Sequence, residues 1–209
     1  VICTDKTGTL TENQMTVQAI YAAGVNYEVT GSGYEPRGEF RANGAPADPQ
    51  NQGALMECLK AGLLCNDARI VQGAEGWKLE GDPTEGALLV SACKAGLNPA
   101  DMTKSHPRLD AIPFESAHQF MATLHHNQAA DAHHIYLKGS LESILVRCDA
   151  ALDQDVQRVP LDVQAIHEQV ENMAVQGLRV LAFARGERPL GEHTLEHAGV
   201  SGGLSFIGL

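Results

Sequence analysis

Hairpin signals in the middle of the chain constrain its fold most. Two strand-like segments, Phe120 to His126 and His133 to Lys138, are separated by the short polar stretch 127–132. A second pair, 69–72 and 77–80, flanks a glycine-containing turn. Short turns join antiparallel strands, whereas parallel strands need long crossover connections. The pattern therefore predicts an α+β fold with a mostly antiparallel sheet flanked by helices, and not a doubly wound parallel sheet.

Further segments extend this pattern on both sides. Helical spacing or capping signals predict helices over 51–65, 81–95, 140–147 and 161–176. Strands are predicted over 14–21, 27–30, 38–41, 112–114, 179–185 and 205–209, with a loop over 43–49. In the second helix we expect Asp82 as N-cap, Pro83 at the first position and Glu85 at the third, which together make a capping box. That is a complete structural reason for these residues without any ligand.

The composition limits the classes of partner. The 209 residues are enough for one well-packed domain, and the formal net charge of −11 argues against binding to nucleic acid or to an anionic membrane. A nucleotide site in such a chain would have to be a local positive spot. Lys94 interrupts the most apolar stretch, 86–97, so we expect no segment that enters a membrane.

The cysteines and the first residues suggest a cytosolic piece of a longer protein. The five cysteines are an odd number without a Cys-x-x-Cys pair, which favours a reducing compartment and buried free thiols. The first residues have no signal-peptide pattern. We therefore expect an excised part of a larger chain.

The first eleven residues carry the strongest chemical signal. An apolar lead, Val1-Ile2-Cys3, is followed by Asp5 and a Thr/Gly turn, which presents a carboxylate beside backbone N–H groups that can hold an anion. A carboxylate so placed is suited to attack a phosphoryl group. An isolated Asp-x-Thr-Gly can also simply cap a turn.

The full string Asp5-Lys6-Thr7-Gly8-Thr9-Leu10-Thr11 resembles the phosphorylation motif of the P-type ion-pumping ATPases. The resemblance implies that Asp5, Lys6 and Thr7 are catalytic and that Asp5 and Thr7 hold Mg²⁺. The related haloacid-dehalogenase-type phosphatases carry a second Asp two residues after the nucleophile. Here that position is Thr7, which cannot act as the general base, so a phosphoenzyme should be longer-lived.

Four later stretches resemble, in the same order, signatures of the nucleotide-binding domain of type II cation-pumping P-type ATPases. They are residues 81–85, 113–116, 138–142 and 177–181, and the closing segment 205–209 resembles the strand that returns to the phosphorylation domain. The resemblance implies two parts. Residues 1–12 are the leading segment of the phosphorylation domain, and residues 13–209 are the nucleotide-binding domain.

The resemblance also implies an ATP site. Its residues are Glu85, Phe114, Gln119, Met121, Lys138, Gly139 and Arg179. Phe114 would stack on adenine, Glu85 would meet the adenine edge, Lys138 would line the pocket and Arg179 would reach the phosphates. Gln119 stands where the family commonly has a lysine, which would weaken a phosphate contact. Without the family, Phe114 is equally a core residue, and Lys138 and Arg179 are ordinary solvated cations.

Two histidine pairs, His125-His126 and His133-His134, lie at the predicted hairpin tip. Two facing histidines on paired strands could hold a metal. Adjacent residues on one strand point to opposite faces, however, and no carboxylate or thiol is evidently recruited. We do not expect a physiological metal site there.

The leading hypothesis is therefore the ATP-binding domain of a cation-pumping P-type ATPase. Its cofactors would be ATP and Mg²⁺. Its partners would be the phosphorylation, actuator and transmembrane domains of a membrane-embedded parent, with this part on the cytoplasmic side. The segment alone should bind ATP weakly without turnover, because the family's Gly-Asp-Gly-x-x-Asn-Asp and Thr-Gly-Glu-Ser segments are missing from these residues.

Two alternatives stay open: a stand-alone nucleotide-binding or regulatory module, and a soluble phosphohydrolase of the haloacid-dehalogenase type. Calcium is the family-level expectation for the transported ion, while sodium, potassium and magnesium remain alternatives.

Overall fold

A large, mostly antiparallel sheet organises the molecule. The computed structural model describes residues 14–73 and 76–209. The described strands are β1 Ala19–Ala22, β2 Val25–Val29, β3 Phe40–Ala42, β4 Ala45–Ala47, β5 Arg69–Gly73, β6 Gly76–Glu80, β7 Arg108–Glu115, β8 Phe120–Asn127, β9 Ala132–Gly139, β10 Cys148–Leu152, β11 Arg158–Pro160, β12 Ala182–Arg188 and β13 Leu204–Gly208. The described α-helices are α1 Gly53–Leu64, α2 Pro83–Lys94, α3 Pro99–Ser105, α4 Leu141–Leu145 and α5 Val163–Val175.

Eleven of the described strands form one sheet, whose main order is β4-β3-β2-β1-β13-β12-β9-β8-β7. Strand β10 pairs with β11 and runs parallel to β13, and the other described pairings in the sheet are antiparallel. The hairpin β5-β6 forms a separate two-stranded sheet. The α+β fold with a mostly antiparallel sheet flanked by helices is confirmed.

Each face of the sheet carries its own core. Helix α1 covers one face, where Leu55 and Leu59 pack with Met121, Tyr136 and Phe183 from the strands. Helices α4 and α5 cover the other face, where Ile144, Ile166 and Met173 join apolar residues of the same strands. Because side chains alternate along a strand, neighbouring residues of β8, β9 and β12 pack into the cores on opposite faces of the sheet.

Several boundaries differ from the sequence expectation. The strand predicted over 14–21 begins only at Ala19, and the predicted loop 43–49 contains β4. The strand predicted over 179–185 lies later, at Ala182–Arg188, because it pairs with β9 from Gly139 to His133. Helix α3 and strands β10 and β11 were not predicted.

The helix ends follow the predicted capping chemistry. Asp82 accepts hydrogen bonds from the backbone N–H groups of Thr84 and Glu85, which confirms it as the N-cap of α2. Gly177 has a φ of +77°, a left-handed conformation that suits glycine just after α5.

Candidate functional site

The centre of the candidate site is an ion pair between the sheet and helix α2. Lys138 Nζ in β9 lies 2.5 Å from Oε1 of Glu85, in the first turn of α2. The two side chains are only 9% and 17% exposed, so water screens their attraction far less than it does in a surface pair. Two residues that the sequence predicted for one pocket are therefore in direct contact, although 53 positions separate them.

The start of α2 fixes where Glu85 points. Its carboxylate accepts hydrogen bonds from Lys138 and, at 3.2 Å, from the backbone N–H of Asp67. The predicted capping box is therefore wrong in one half, because Glu85 is engaged with these two groups rather than with the backbone N–H of Asp82. Burial alone would raise the pKa of Asp82, but hydrogen bonds from the helix start and the positive Arg179 lower it below its ordinary value.

Phe114 lies in the same row of the sheet as Lys138. Met121 in β8 pairs with Lys138, and the β7 residues facing Met121 are Pro113 and Phe114, which form a bulge between two regular pairs. The residue Phe114 is 59% exposed. The interpretation of Phe114 as a core residue is thus excluded, and an exposed aromatic side chain stands two strands away from the buried cation.

Gln119 and Gly139 form the junction between the sheet and α4. The Gln119 backbone has a φ of +56°, and its carbonyl accepts hydrogen bonds from Ser140 N and Ser143 Oγ, each at 3.0 Å. Its side-chain Oε1 accepts from Ser140 Oγ at 3.2 Å. A Cβ added at Gly139 would lie 2.4 Å from the Gln119 carbonyl oxygen, so only glycine fits there. Any contact of Gln119 with a nucleotide stays a prediction.

Met121 and Arg179 occupy contrasting environments. Met121 is 2% exposed, and its carbonyl accepts a long hydrogen bond from the Cys65 thiol. Arg179 is exposed between α5 and β12 and lines a cavity of about 320 Å³ that also includes Thr84 and Met15. Of the seven nucleotide-site candidates, all within the described residues, Arg179 alone lines this cavity. Arg179 is connected to the candidate site by its charge near Asp82, at the start of α2. Lys138 and Phe114 do not line the cavity that contains Arg179.

The predicted catalytic and Mg²⁺-binding residues Asp5, Lys6 and Thr7 lie outside the described residues. Within residues 14–73 and 76–209, no group of three or more His, Cys, Asp or Glu side chains has a geometry that could hold a metal ion. The histidine pairs do face each other across β8 and β9, His125 with His134 and His126 with His133. No helix in the same two ranges is long and apolar enough to cross a membrane.

Sequence reasoning missed the turn that supports Glu85. Asn66 and Asp67 directly follow the helix predicted over 51–65 and were given no role, yet both residues bind Glu85, and Arg108 binds both of them. A polar Asn-Asp pair directly after a buried helix is a weak signal for such a role. Arg108, at the start of a strand 41 positions away from Asp67, gives no local signal at all.

Comparison with known proteins gives the class to which this antiparallel-sheet domain belongs. Residues 54–209 match the family model described as P-type ATPase, cytoplasmic domain N. The chain therefore belongs to this family.

Its relatives are much longer proteins. The chain is 51% identical over 214 residues to the cation-transporting ATPase pma1 of Synechocystis, with all of the chain and 23% of the relative covered. It is 40% identical over 210 residues to the probable cation-transporting ATPase F of Mycobacterium tuberculosis, again with 100% and 23% covered. It is 33% identical over 217 residues to a calcium-transporting ATPase of Bacillus subtilis, with 97% and 24% covered. The chain thus spans about a quarter of the length of these relatives.

Proposed function

We propose that this chain is the ATP-binding part of a type II cation-pumping P-type ATPase. The observation that carries the proposal is that Lys138, in a shielded ion pair with Glu85 of α2, lies in one sheet row with the exposed Phe114. Family membership and the names of the relatives support the same function. Relatives of this similarity are named for calcium or simply for cations, so the proposal leaves the transported ion open.

In this proposal each side chain has a distinct task. Phe114 offers an aromatic face to adenine, worth roughly 1–3 kcal/mol. The Glu85 carboxylate accepts a hydrogen bond from the adenine amino group, while Lys138 and Arg179 supply local positive charge in a chain of net charge −11. After the cost of association, we expect a binding free energy of roughly −4 to −6 kcal/mol, a dissociation constant in the high micromolar to millimolar range.

The phosphoryl chemistry belongs to the first segment of the chain. A carboxylate oxygen of Asp5 attacks the γ-phosphorus of ATP in line, the bond to the β,γ-bridging oxygen breaks, and ADP leaves. Asp5 and Thr7 are the residues we propose for holding Mg²⁺, which supplies neutralisation of the phosphate charge, with Lys6 as the third candidate catalytic residue. In the full pump the aspartyl phosphate would drive ion transport across a membrane through the actuator and transmembrane domains. The 209-residue chain alone would show no turnover.

Nucleotide titration of the 209-residue chain tests the binding proposal. We expect millimolar ATP to shift the backbone NMR signals around Phe114 and Lys138, and Phe114→Ala and Lys138→Ala each to weaken binding at least several-fold. Val175→Ala removes an apolar side chain that is 90% exposed on α5 and is the control for Phe114→Ala; Lys104→Ala on α3 is the control for the lysine. Both controls should bind like the unaltered chain. An absence of shifts around Phe114 and Lys138 at millimolar ATP would contradict the proposal.

A further inference from the structure

The turn between α1 and the β5-β6 hairpin, residues 65–68, binds the carboxylate oxygen of Glu85 that Lys138 does not contact. The backbone N–H of Asp67 donates to Glu85 Oε2 at 3.2 Å, and Asn66 Nδ2 donates to the Glu85 backbone carbonyl at 2.9 Å. Asn66 also donates to Gly62 O and accepts from Ala68 N, and it is only 8% exposed. Both the main chain and the carboxylate of Glu85 are therefore tied to this turn.

Arg108, at the start of β7, fixes the turn in its place. Its Nη1 lies 2.6 Å from Asp67 Oδ1, and its Nη2 donates to the carbonyls of Leu64 at 3.1 Å and Asn66 at 2.6 Å. A planar guanidinium group can make these three contacts at once, whereas a lysine ammonium lacks the forked geometry. The side chain is one-third exposed, so the contacts are partly shielded from water.

This chain of contacts leaves the Glu85 carboxylate with one orientation. One oxygen binds Lys138 and the other binds the Asp67 N–H, so the remaining lone pairs have fixed directions. An ionised carboxylate only accepts hydrogen bonds. The adenine ring presents an amino donor at the position where guanine presents the acceptor O6. A fixed carboxylate therefore favours adenine, and a mobile one discriminates less.

We propose that Arg108 and Asp67 are positioning residues that orient Glu85 and thereby set the preference for ATP over GTP. The inference rests on the proposed function, in which Glu85 meets the base. Arg108 and Asp67 act through Glu85 and not by touching the nucleotide.

The first test needs no nucleotide. In Arg108→Gln, hydrogen exchange of the Asp67 amide should accelerate several-fold, because the turn loses the group that holds it against Glu85. Arg158→Gln is the matched control, since Arg158 makes the same kind of contacts elsewhere, with Asp149 at 2.6 Å and with the carbonyl of Gly203. The control should leave Asp67 exchange unchanged. Equal Asp67 exchange rates in the two variants would overturn the inference.

The second test measures the dissociation constants of ATP and GTP for the 209-residue chain. Arg108→Gln and the milder Asp67→Asn should each weaken ATP binding about five-fold, the worth of roughly one hydrogen bond, and leave GTP binding nearly unchanged. The ATP affinity of Arg108→Lys should lie between those of Arg108→Gln and the unaltered chain. If Arg108→Gln fails to fold, Asp67→Asn alone decides the outcome.

A double-variant comparison separates positioning from general loosening. In a Glu85→Gln background, Arg108→Gln should cause no further loss of ATP affinity. An equal loss of ATP affinity with and without Glu85→Gln would overturn the inference while the proposed function stands. The same holds if the ratio of ATP to GTP affinity in Arg108→Gln equals that in Arg158→Gln. If the unaltered chain binds neither nucleotide, the proposed function itself fails.

Discussion

The buried carboxylate of Glu57 in α1 gives the sharpest stability prediction. It is 5% exposed, and Oε1 accepts hydrogen bonds from Arg185 at 3.0 Å and from the Tyr136 hydroxyl at 2.9 Å. Lys60 lies 3.6 Å from the other oxygen. Burial alone would raise the pKa of Glu57, but the Arg185 charge and the other partners outweigh it and hold that pKa below its ordinary value.

Replacing Arg185 by methionine removes the main counter-charge and keeps much of the side-chain volume. Breaking a buried pair by removing one partner typically costs about 3–5 kcal/mol. Because Lys60 and Tyr136 remain beside Glu57, we expect the lower end, a loss of about 3 kcal/mol in the free energy of unfolding. Urea denaturation at pH 7.5, followed by far-ultraviolet circular dichroism, measures this loss.

The pH dependence gives a second readout of the same change. In Arg185→Met burial dominates, so the pKa of Glu57 should rise above its unfolded value and the folded variant should take up a proton as the pH falls. The unaltered chain, whose Glu57 pKa is lowered, instead loses stability in acid. The stability gap between the two should therefore narrow toward pH 4.5.

The control is Arg41→Met, which removes an exposed pair with Glu39 and should cost less than about 0.5 kcal/mol. The double variant Glu57→Gln with Arg185→Met should recover a large part of the loss, since no buried charge is left. A loss below about 1 kcal/mol in Arg185→Met, or a gap that does not change with pH, would refute the reasoning.

Two further predictions concern acid sensitivity and the junction at α4. Burial lowers the pKa of His125 and of His134 to about 4 from an unfolded value near 6.5, so the unfolded chain binds more protons and stability should fall as pH drops from about 6.5 to 4. His125→Gln should reduce the loss in the free energy of unfolding between pH 6.5 and 4 by up to about 3 kcal/mol. An unchanged slope would contradict the lowered pKa of His125. Gly139→Ala should cost about 1–3 kcal/mol in urea denaturation, because its Cβ would meet the Gln119 carbonyl, while Gly191→Ala, with open space around it, should cost almost nothing. Equal stabilities of the two glycine variants would show that the junction adapts freely.

The sequence predicted those strands and helices whose turn residues, apolar spacing or caps lie within or next to the element itself. The β8-β9 hairpin, α1, α2 and α5 follow from their turn residues, apolar spacing and caps. Strand β10 escaped prediction because β13, its parallel partner, lies about 55 positions later, and β11, its antiparallel hairpin partner, is only three residues long. Strand β12 extends to Arg188 only because β9 offers partners as far as His133, which no local pattern records.

The same limit applies to the candidate site. The sequence motifs identified Glu85 and Lys138 separately, and their direct contact depends on how α2 packs against the sheet. The supporting contacts of Asn66, Asp67 and Arg108 join three elements, and side chains that are far apart in sequence leave no common periodicity. Long-range polar contacts of this kind are visible only in the folded molecule.

The electrostatics of the candidate site is consistent with the weak ATP binding that we propose. Lys138 is already compensated by Glu85, and Arg179 lies close enough to Asp82 to lower its pKa. Each proposed cation is thus offset by a nearby carboxylate before a nucleotide arrives, inside a chain of net charge −11. In the proposed complex the phosphates would therefore gain little net attraction, and stacking on Phe114 with a directed hydrogen bond to Glu85 would supply most of the affinity. If the site relies on the base more than on the phosphates, as we propose, the γ-phosphate of bound ATP would remain free to be presented to Asp5.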